Sequence, residues 1–230
     1  MTILFYDLVG RDAARPFSPH CWKIAMALAH KGLDYKAVPT RFLDVPGIED
    51  GASTTIPVIR DGEKVIADSF AIALYLEEAY PDRPTLFGGS GGETHARFIE
   101  RWSQLTVHPY LGMTALTALH GMQDEANAAY FRQSREVRYG KTLEEVGAGR
   151  DVGLAAFRAS LEPLRSMLAY QPWIGGSGPL FADYIVFGAF QWARIATPYR
   201  LLDDADPIAE WLARCLDLHA SLGQRVSAAA

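Results

Sequence analysis

The sequence predicts a small α/β domain of order βαβ–ββα followed by a larger all-α domain. Three observations predict this. Strand-like and helix-like patterns alternate over the first 80 or so residues. A Pro- and Gly-rich stretch, PDRPTLFGGSGGE at 81–93, then interrupts them. Beyond it only helical patterns occur. At 230 residues the chain is long enough for two small domains with real cores.

The elements follow in order. TILFY (2–6) is a short apolar run of strand formers, and a polar loop, DLVGRDAARPF, leads away from it. Over 19–31 the pattern turns helical, with Trp22, Ala25, Met26 and Ala29 at i, i+3, i+4 and i+7. Ser18 suits its N-cap, Pro19 its first position and Gly32 its end. YKAVP (35–39) is a second strand, so the first unit calls for a parallel crossover. A polar loop is expected to about Thr55. PVIRDGEKVIA (57–67) is a hairpin, with Asp61-Gly62 as its two-residue turn. A helix over 69–80 carries Ile72, Tyr75, Leu76 and Ala79 on one apolar face. After the linker, helices are expected over about 93–119, 124–139, 150–170, 182–196 and 207–219.

Composition excludes several functions. Hydrophobic residues make up 49% and charged residues 21%, the balance of a soluble globular protein. A net charge of -5 with scattered Lys and Arg argues against nucleic-acid binding. No apolar run reaches the roughly 18 residues of a membrane helix, and MTILFYDLVGRD has no signal-peptide pattern. Cys21 and Cys215 are the only cysteines and lie far apart, which fits a reducing, cytoplasmic location. The six histidines show no metal-ligand spacing, so no metal is expected.

Three pairs of residues can carry chemistry. Ser18-Pro19 opens a helix, whose free N–H groups and partial positive charge favour an anion such as a thiolate. The serine hydroxyl either donates a further hydrogen bond to that anion or is only a cap. Ile56-Pro57 lies between loop and strand. A cis proline there would turn the preceding N–H and C=O outward toward an extended peptide ligand, and a trans proline would simply end the loop. Asp68-Ser69 opens a second helix. The pair can hold an amine and a carboxylate of one ligand, or act as a plain cap.

The order and spacing of these pairs resemble the cytosolic glutathione transferases, in SPHCWKIAMALAHKGLDY, TTIPVI and ADSFAIALYLEEAYPDRP. FADY (181–184) is similar to that family's helix-capping signature, with Leu180 where a Ser or Thr is usual, so half of the reciprocal cap is missing. YFRQSREVRYGKTLEEVGAGRD (130–151) and SPHCWK resemble bacterial glutathione-dependent β-etherases and fungal serine-type transferases. As bare sequence, 130–151 is a solvated helix and turn. The resemblance implies a thioredoxin-like βαβ–ββα domain over 1–81 that binds glutathione. It also implies an all-helical domain over 92–225 that forms a hydrophobic substrate site, and a homodimer. Glutathione would bind across Ile56 and Pro57, with its γ-glutamyl end at Asp68 and Ser69 and its sulfur near Ser18. Arg41 is placed at its glycyl carboxylate from charge and position. An aromatic electrophile would meet Phe17, Tyr110 and Met113, each of which can equally be core.

Thioredoxin-like redox proteins carry Cys-Pro-x-Cys here, and this chain carries Ser18-Pro19-His20-Cys21. The nucleophile position is serine. A transferase that uses Ser18 to hold the glutathione thiolate, and that acts on an aromatic electrophile or a β-aryl ether, is the expected function. A non-catalytic ligand binder of the same fold and a Cys21-dependent thiol–disulfide reductase are the alternatives.

Overall fold

In the computed structural model, residues 2–230 are described, so the first residue of the expected 1–81 domain lies outside them. A four-stranded sheet of order β2-β1-β3-β4 forms the first domain. β1 (Ile3–Leu8) pairs in parallel with β2 (Tyr35–Thr40), and antiparallel with β3 (Val58–Asp61), which pairs antiparallel with β4 (Lys64–Ala67). The hairpin loop is Gly62-Glu63, not Asp61-Gly62. Asp61 pairs with Lys64, and Gly62 takes the positive φ (+61°) of the first loop position. The segment expected to be a polar loop contains two short 3₁₀ turns over Phe42–Gly51, broken where Glu49 and Asp50 turn left-handed.

α1 (Pro19–His30) crosses between the sheet and the helical domain, and α2 (Ser69–Ala79) packs beside it. α1 lies against α9 (Phe181–Ala196), a helix buried at every position except Trp192 and Arg194. A helix apolar nearly all round needs burial on all sides, and α9 is the centre of the molecule. The two helices meet backbone to side: a Cβ on Gly188 would come within 2.3 Å of the Pro19 carbonyl oxygen. Trp22 sets its ring edge-on to Phe187, and Lys23 forms a 3.1 Å ion pair with Glu100, its side chain fully buried.

The helix expected over 93–119 is three pieces: α3 (Ser90–Trp102), a π turn (Ser103–Val107) and α4 (His108–Gly121). Pro109 has no N–H and its ring excludes the carbonyl four residues back, so the chain widens and the His108 N–H reaches Ser103. Pro163 similarly divides the expected 150–170 helix into α7 (Arg150–Ser160) and α8 (Glu162–Tyr170). Between α5 (Glu125–Tyr139) and α7 lies an unexpected single turn, α6 (Leu143–Gly147). Thr142 and Glu145 cap it reciprocally. α10 (Pro207–Ser221) closes the domain and ends in three left-handed residues, His219, Ala220 and Ser221.

The half-present cap of α9 does more than the sequence implied. Asp183, fully buried, accepts the Leu180 N–H (3.0 Å) of the expected cap. It also accepts Ile174 N–H (2.8 Å), Gly175 N–H (2.9 Å) and the Trp211 indole N–H (2.9 Å). The Leu180 side chain cannot accept in return, and the Asp183 N–H goes instead to the Leu180 carbonyl at 2.9 Å. Burial pushes this carboxyl upward in pKa, and the four donors oppose that rise. No helix is long and apolar enough to cross a membrane among the described residues.

Candidate functional site

One end of the sheet gathers the three residue pairs. β3 runs antiparallel to both its neighbours, so Tyr6 pairs with Val58 and Val58 with Ala67. The end of β1, the start of β3 and the end of β4 therefore lie side by side. The segments attached there carry Ser18-Pro19, Ile56-Pro57 and Asp68-Ser69.

Ser18 is the N-cap of α1, with extended backbone (φ -62°, ψ 128°) and 3% exposure. Its Oγ accepts the Cys21 N–H at 3.2 Å. That bond occupies the acceptor side of the hydroxyl, and its proton can turn to the neighbouring Cys21 sulfur, whose upward pKa shift Ser18 opposes, or to an incoming anion. In the same turn Pro19 has no N–H, and the Trp22 N–H goes to the Ser18 carbonyl at 3.0 Å. The His20 N–H has no partner among the described residues. A hydroxyl and a backbone N–H are thus free to meet an anion at the positive end of the helix.

Cys21 is buried on the far side of this turn. Burial, and then the charge of Asp7, push its thiol well above the usual range. Asp7 is buried as well, pushed up to about 7 by desolvation, and its Oδ1 has no partner. The Ile56–Pro57 peptide is cis, and no hydrogen bond among the described residues takes up the Ile56 N–H or C=O. Pro57 is buried beneath it. Asp68, not Ser69, is the N-cap of α2. One carboxylate oxygen accepts from Phe70 N–H (2.9 Å) and Ala71 N–H (3.0 Å), and the other has no partner among the described residues. Its φ of +75° is rarely adopted by a residue with a side chain, and such strain gathers at ligand clamps. Ser69 is buried behind it.

A cleft of about 420 Å³ opens beside Ser18, between the domains. The first domain lines it with Phe17, Ser18, His20, Phe42, Val45 and the segment from Thr54 to Ile56. His20 lies stacked on His108, ring centroids 5.5 Å apart. Burial, then Lys23, keeps both imidazoles below their ordinary pKa, His108 at about 4, so they are neutral near pH 7. α4 contributes Gly112, Leu116 and Leu119, and α9 contributes Trp192. A Cβ at Gly112 would come within 2.9 Å of the Trp192 ring, so glycine there lets the indole lie against α4.

Three expected site residues lie elsewhere. Tyr110 stacks on Phe157 (4.2 Å) and donates to the Arg150 carbonyl at 2.7 Å. Met113 lies beside Gly149 and Gly153, on that same side of α4. The helix does line the cleft, but with its other face. Arg41 stands outside the cleft, half exposed, with its guanidinium 3.4 Å from Asp124.

The α5 wall was missed in the sequence reading. Tyr130, Phe131, Arg135, Arg138 and Tyr139 all face the cleft, although this stretch reads as a solvated helix. The spacing of Phe131, Arg135 and Arg138, at i, i+4 and i+7, is the signal that could have found it. α5 is turned inward by docking on the 3₁₀ segment. Asn127 Oδ1 accepts the Leu43 N–H at 3.0 Å, and Phe131 packs on Phe42 at 5.5 Å.

Comparison with known proteins bears on the family and the fold. The family profile described as glutathione S-transferase, N-terminal domain, matches residues 14–84, and glutathione S-transferase, C-terminal domain, matches 94–217. The fold is similar to the crystal structure of glutathione transferase GSTFuA3 from Phanerochaete chrysosporium, with a TM-score of 0.84 and 26% identity, over 96% of this chain and 97% of that one. It is similar, too, to the glutathione S-transferase CsGST63524 of Ceriporiopsis subvermispora, a complex with glutathione, with a TM-score of 0.81 and 26% identity over 93% and 96% of the two chains. Glutathione S-transferase Z1 of Arabidopsis thaliana is 33% identical over 119 residues, 50% of this chain and 47% of its own, so the match spans about half of that plant relative. Both family profiles fall on the two domains in order, the helical one over more than half of the sequence, and the chain belongs to the glutathione S-transferase family.

Proposed function

We propose that this chain is a serine-type glutathione transferase, with residues 1–81 holding glutathione and 92–225 completing the site for an aromatic electrophile. The observation that carries the reading is the Ser18 hydroxyl, which lines the cleft and whose acceptor side is engaged by the Cys21 N–H, so that its proton can turn to an incoming thiolate. Glutathione supplies a thiol nucleophile, which displaces a leaving group from an electrophilic carbon. In a β-aryl ether, the C–O bond would break as the C–S bond forms, and the aryloxide would leave as a phenol. Ser18 and the His20 N–H hold the thiolate by hydrogen bonds, and Ser18 keeps its own proton. The unpaired Ile56 N–H and C=O suit an extended peptide backbone, with Pro57 beneath. The free oxygen of Asp68 suits the γ-glutamyl amine, and the Ser69 end of α2 suits its carboxylate. Phe17 forms the near wall for the electrophile. Arg41 would have to leave Asp124 to reach a glycyl carboxylate.

An ordinary thiol has a pKa near 8.5, and lowering it by one to two units corresponds to about 1.4–2.7 kcal/mol, within reach of one charge-assisted hydrogen bond. Ser18→Ala is therefore expected to raise the pKa of bound glutathione and cut turnover at pH 7 by about ten- to a hundredfold, with less loss at pH 9. Cys21→Ala is expected to leave transferase activity largely intact. Full activity at pH 7 in the serine variant, with loss in the cysteine variant, would replace this reading with thiol–disulfide reduction. Glutathione binding without turnover of haloarenes, aryl ethers or mixed disulfides would replace it with ligand binding.

Asp68→Asn keeps the helix cap but removes the charge. Calorimetry is expected to return glutathione binding weaker by about tenfold or more, and unchanged affinity would remove Asp68 from the site. The proposal includes a cytoplasmic homodimer. Phe98 and Leu105 stand 68% and 71% exposed, as a surface that pairs with a second copy would leave them, and sedimentation at micromolar concentration is expected to give twice the chain mass.

A further inference from the structure

Apart from Ser18, His20, Thr54 and Thr55 on the first-domain side, the cleft is aromatic and aliphatic except at the α5 wall. Arg135 and Arg138 line it from α5, and no Asp or Glu lines it anywhere. The guanidinium of Arg135 lies 4.6 Å from the Phe131 ring centroid and 5.1 Å from that of Phe42. Its one hydrogen bond is to Ser134 Oγ, at 2.9 Å. Arg138 makes no hydrogen bond or ion pair among the described residues.

The nearby carboxylates are already committed. Glu136 of α5 and Glu144 of α6 hold Arg132 at 2.8 Å each. Glu49 holds Arg60 at 3.0 Å, and Asp124 holds Arg41. Two cations thus stand without counter-charge on an apolar cleft, in a chain of net charge -5. An arginine stays protonated in any such setting, and its planar fork matches a carboxylate or sulfonate. The half-buried position of Arg135 on two aromatic rings limits what water can do for it, so an anionic ligand group gains where a neutral one does not.

Building on the transferase reading, we infer that the second substrate is an anionic aromatic electrophile, its carboxylate or equivalent oxyanion held by Arg135 and Arg138 while its ring lies among Phe17, Phe42, Phe131 and Trp192. The guanidiniums select the substrate; they do not activate the thiol.

The test compares 4-chloro-3,5-dinitrobenzoate with 1-chloro-2,6-dinitrobenzene, which differ by the carboxylate alone. In Arg135→Gln/Arg138→Gln, kcat/KM for the benzoate is expected to fall tenfold or more. For the neutral compound, and for the KM of glutathione, the change is expected to stay within about threefold. Arg135→Lys/Arg138→Lys is expected to restore part of the loss, since it returns the charge but not the planar fork. If both electrophiles suffer equally through the KM of glutathione, the guanidiniums hold its glycyl carboxylate and the inference is wrong. It is equally wrong if neither electrophile is affected. Should the wild type turn over no electrophile, the transferase reading fails, and a binding measurement still decides the anion site. Affinity for 8-anilinonaphthalene-1-sulfonate should then drop at least tenfold in the double Gln variant, with N-phenyl-1-naphthylamine unchanged. Equal changes for the two dyes would overturn the site. If the double variant does not fold, exposed Arg138→Gln alone is expected to give at least a threefold selective loss, and its absence counts against the site.

Discussion

Asp183→Ala is expected to cost about 3–5 kcal/mol of stability, among the largest effects of any single substitution in the chain. The carboxylate is the acceptor for four N–H groups drawn from three places: the cap of α9, the turn at Ile174 and Gly175, and the indole of Trp211 on α10. Alanine would leave the Ile174 and Trp211 donors in a dry interior and the half-buried Gly175 and Leu180 donors without their acceptor, and each unmet buried donor costs about 1–3 kcal/mol before relaxation. Trp211 itself is fully buried, so no outward swing returns its N–H to solvent. Urea denaturation with matched m-values checks the number. A loss below about 1 kcal/mol would mean that the turn before α9 rearranges freely, and that the carboxylate is not its organiser.

Glu100→Ala is expected to lose a similar amount, about 3–5 kcal/mol, by a different cause. It leaves the Lys23 ammonium without its partner where the lysine side chain has 0% exposure. Burial already lowers the pKa of Lys23, and Glu100 opposes that shift. A lysine whose folded pKa lies below its unfolded value binds fewer protons folded than unfolded. Stability then rises with pH through the window between the two, up to about 10.5. The variant's deficit should therefore be larger at pH 7 than at pH 9.5, when urea midpoints are compared at both. Lys23→Met/Glu100→Leu removes both charges and is expected to stay within about 1 kcal/mol of the parent or exceed it. A double variant as unstable as the single one would assign the loss to packing and not to the orphaned charge.

Local signals made the first domain legible. Ser18 and Pro19 mark a helix start, alternating β-formers mark the strands, and one Asp-Gly marks a hairpin within one residue of its true loop. What failed in the second domain failed for identifiable reasons. Pro109 and Pro163 sit near the start of new helices, where proline is tolerated, so each read as part of a continuing helix when it in fact divides one. α4 is buried on several sides, including Tyr110, Leu111, Ala115 and Leu119. Its periodicity therefore says that the helix is enclosed, not which face meets the cleft, and Tyr110 and Met113 lie on the face turned away from it. Arg135 and Arg138 carry the opposite problem. Their charge is that of a solvated face, and only the docking of Phe131 on Phe42, between segments far apart in sequence, turns them inward. The residue pairs around Ser18 depend on short-range grammar and are legible in sequence; the α5 wall of the cleft depends on tertiary contact and is not.

The seat of Gly188 against the Pro19 carbonyl has a consequence for recombination within the family. Ser18 is borne by one half of the chain, yet its helix is wedged from behind by the other half, through a glycine, a phenylalanine and a buried acid. If Ser18 holds the thiolate as proposed, grafting the helical half of a relative without this glycine onto this sheet would retune thiol acidity along with substrate choice, because a methyl group at that seat would shift the end of α1. Chimeras that preserve the glycine should inherit the donor's selectivity and the recipient's nucleophile together, and those that do not should inherit neither intact.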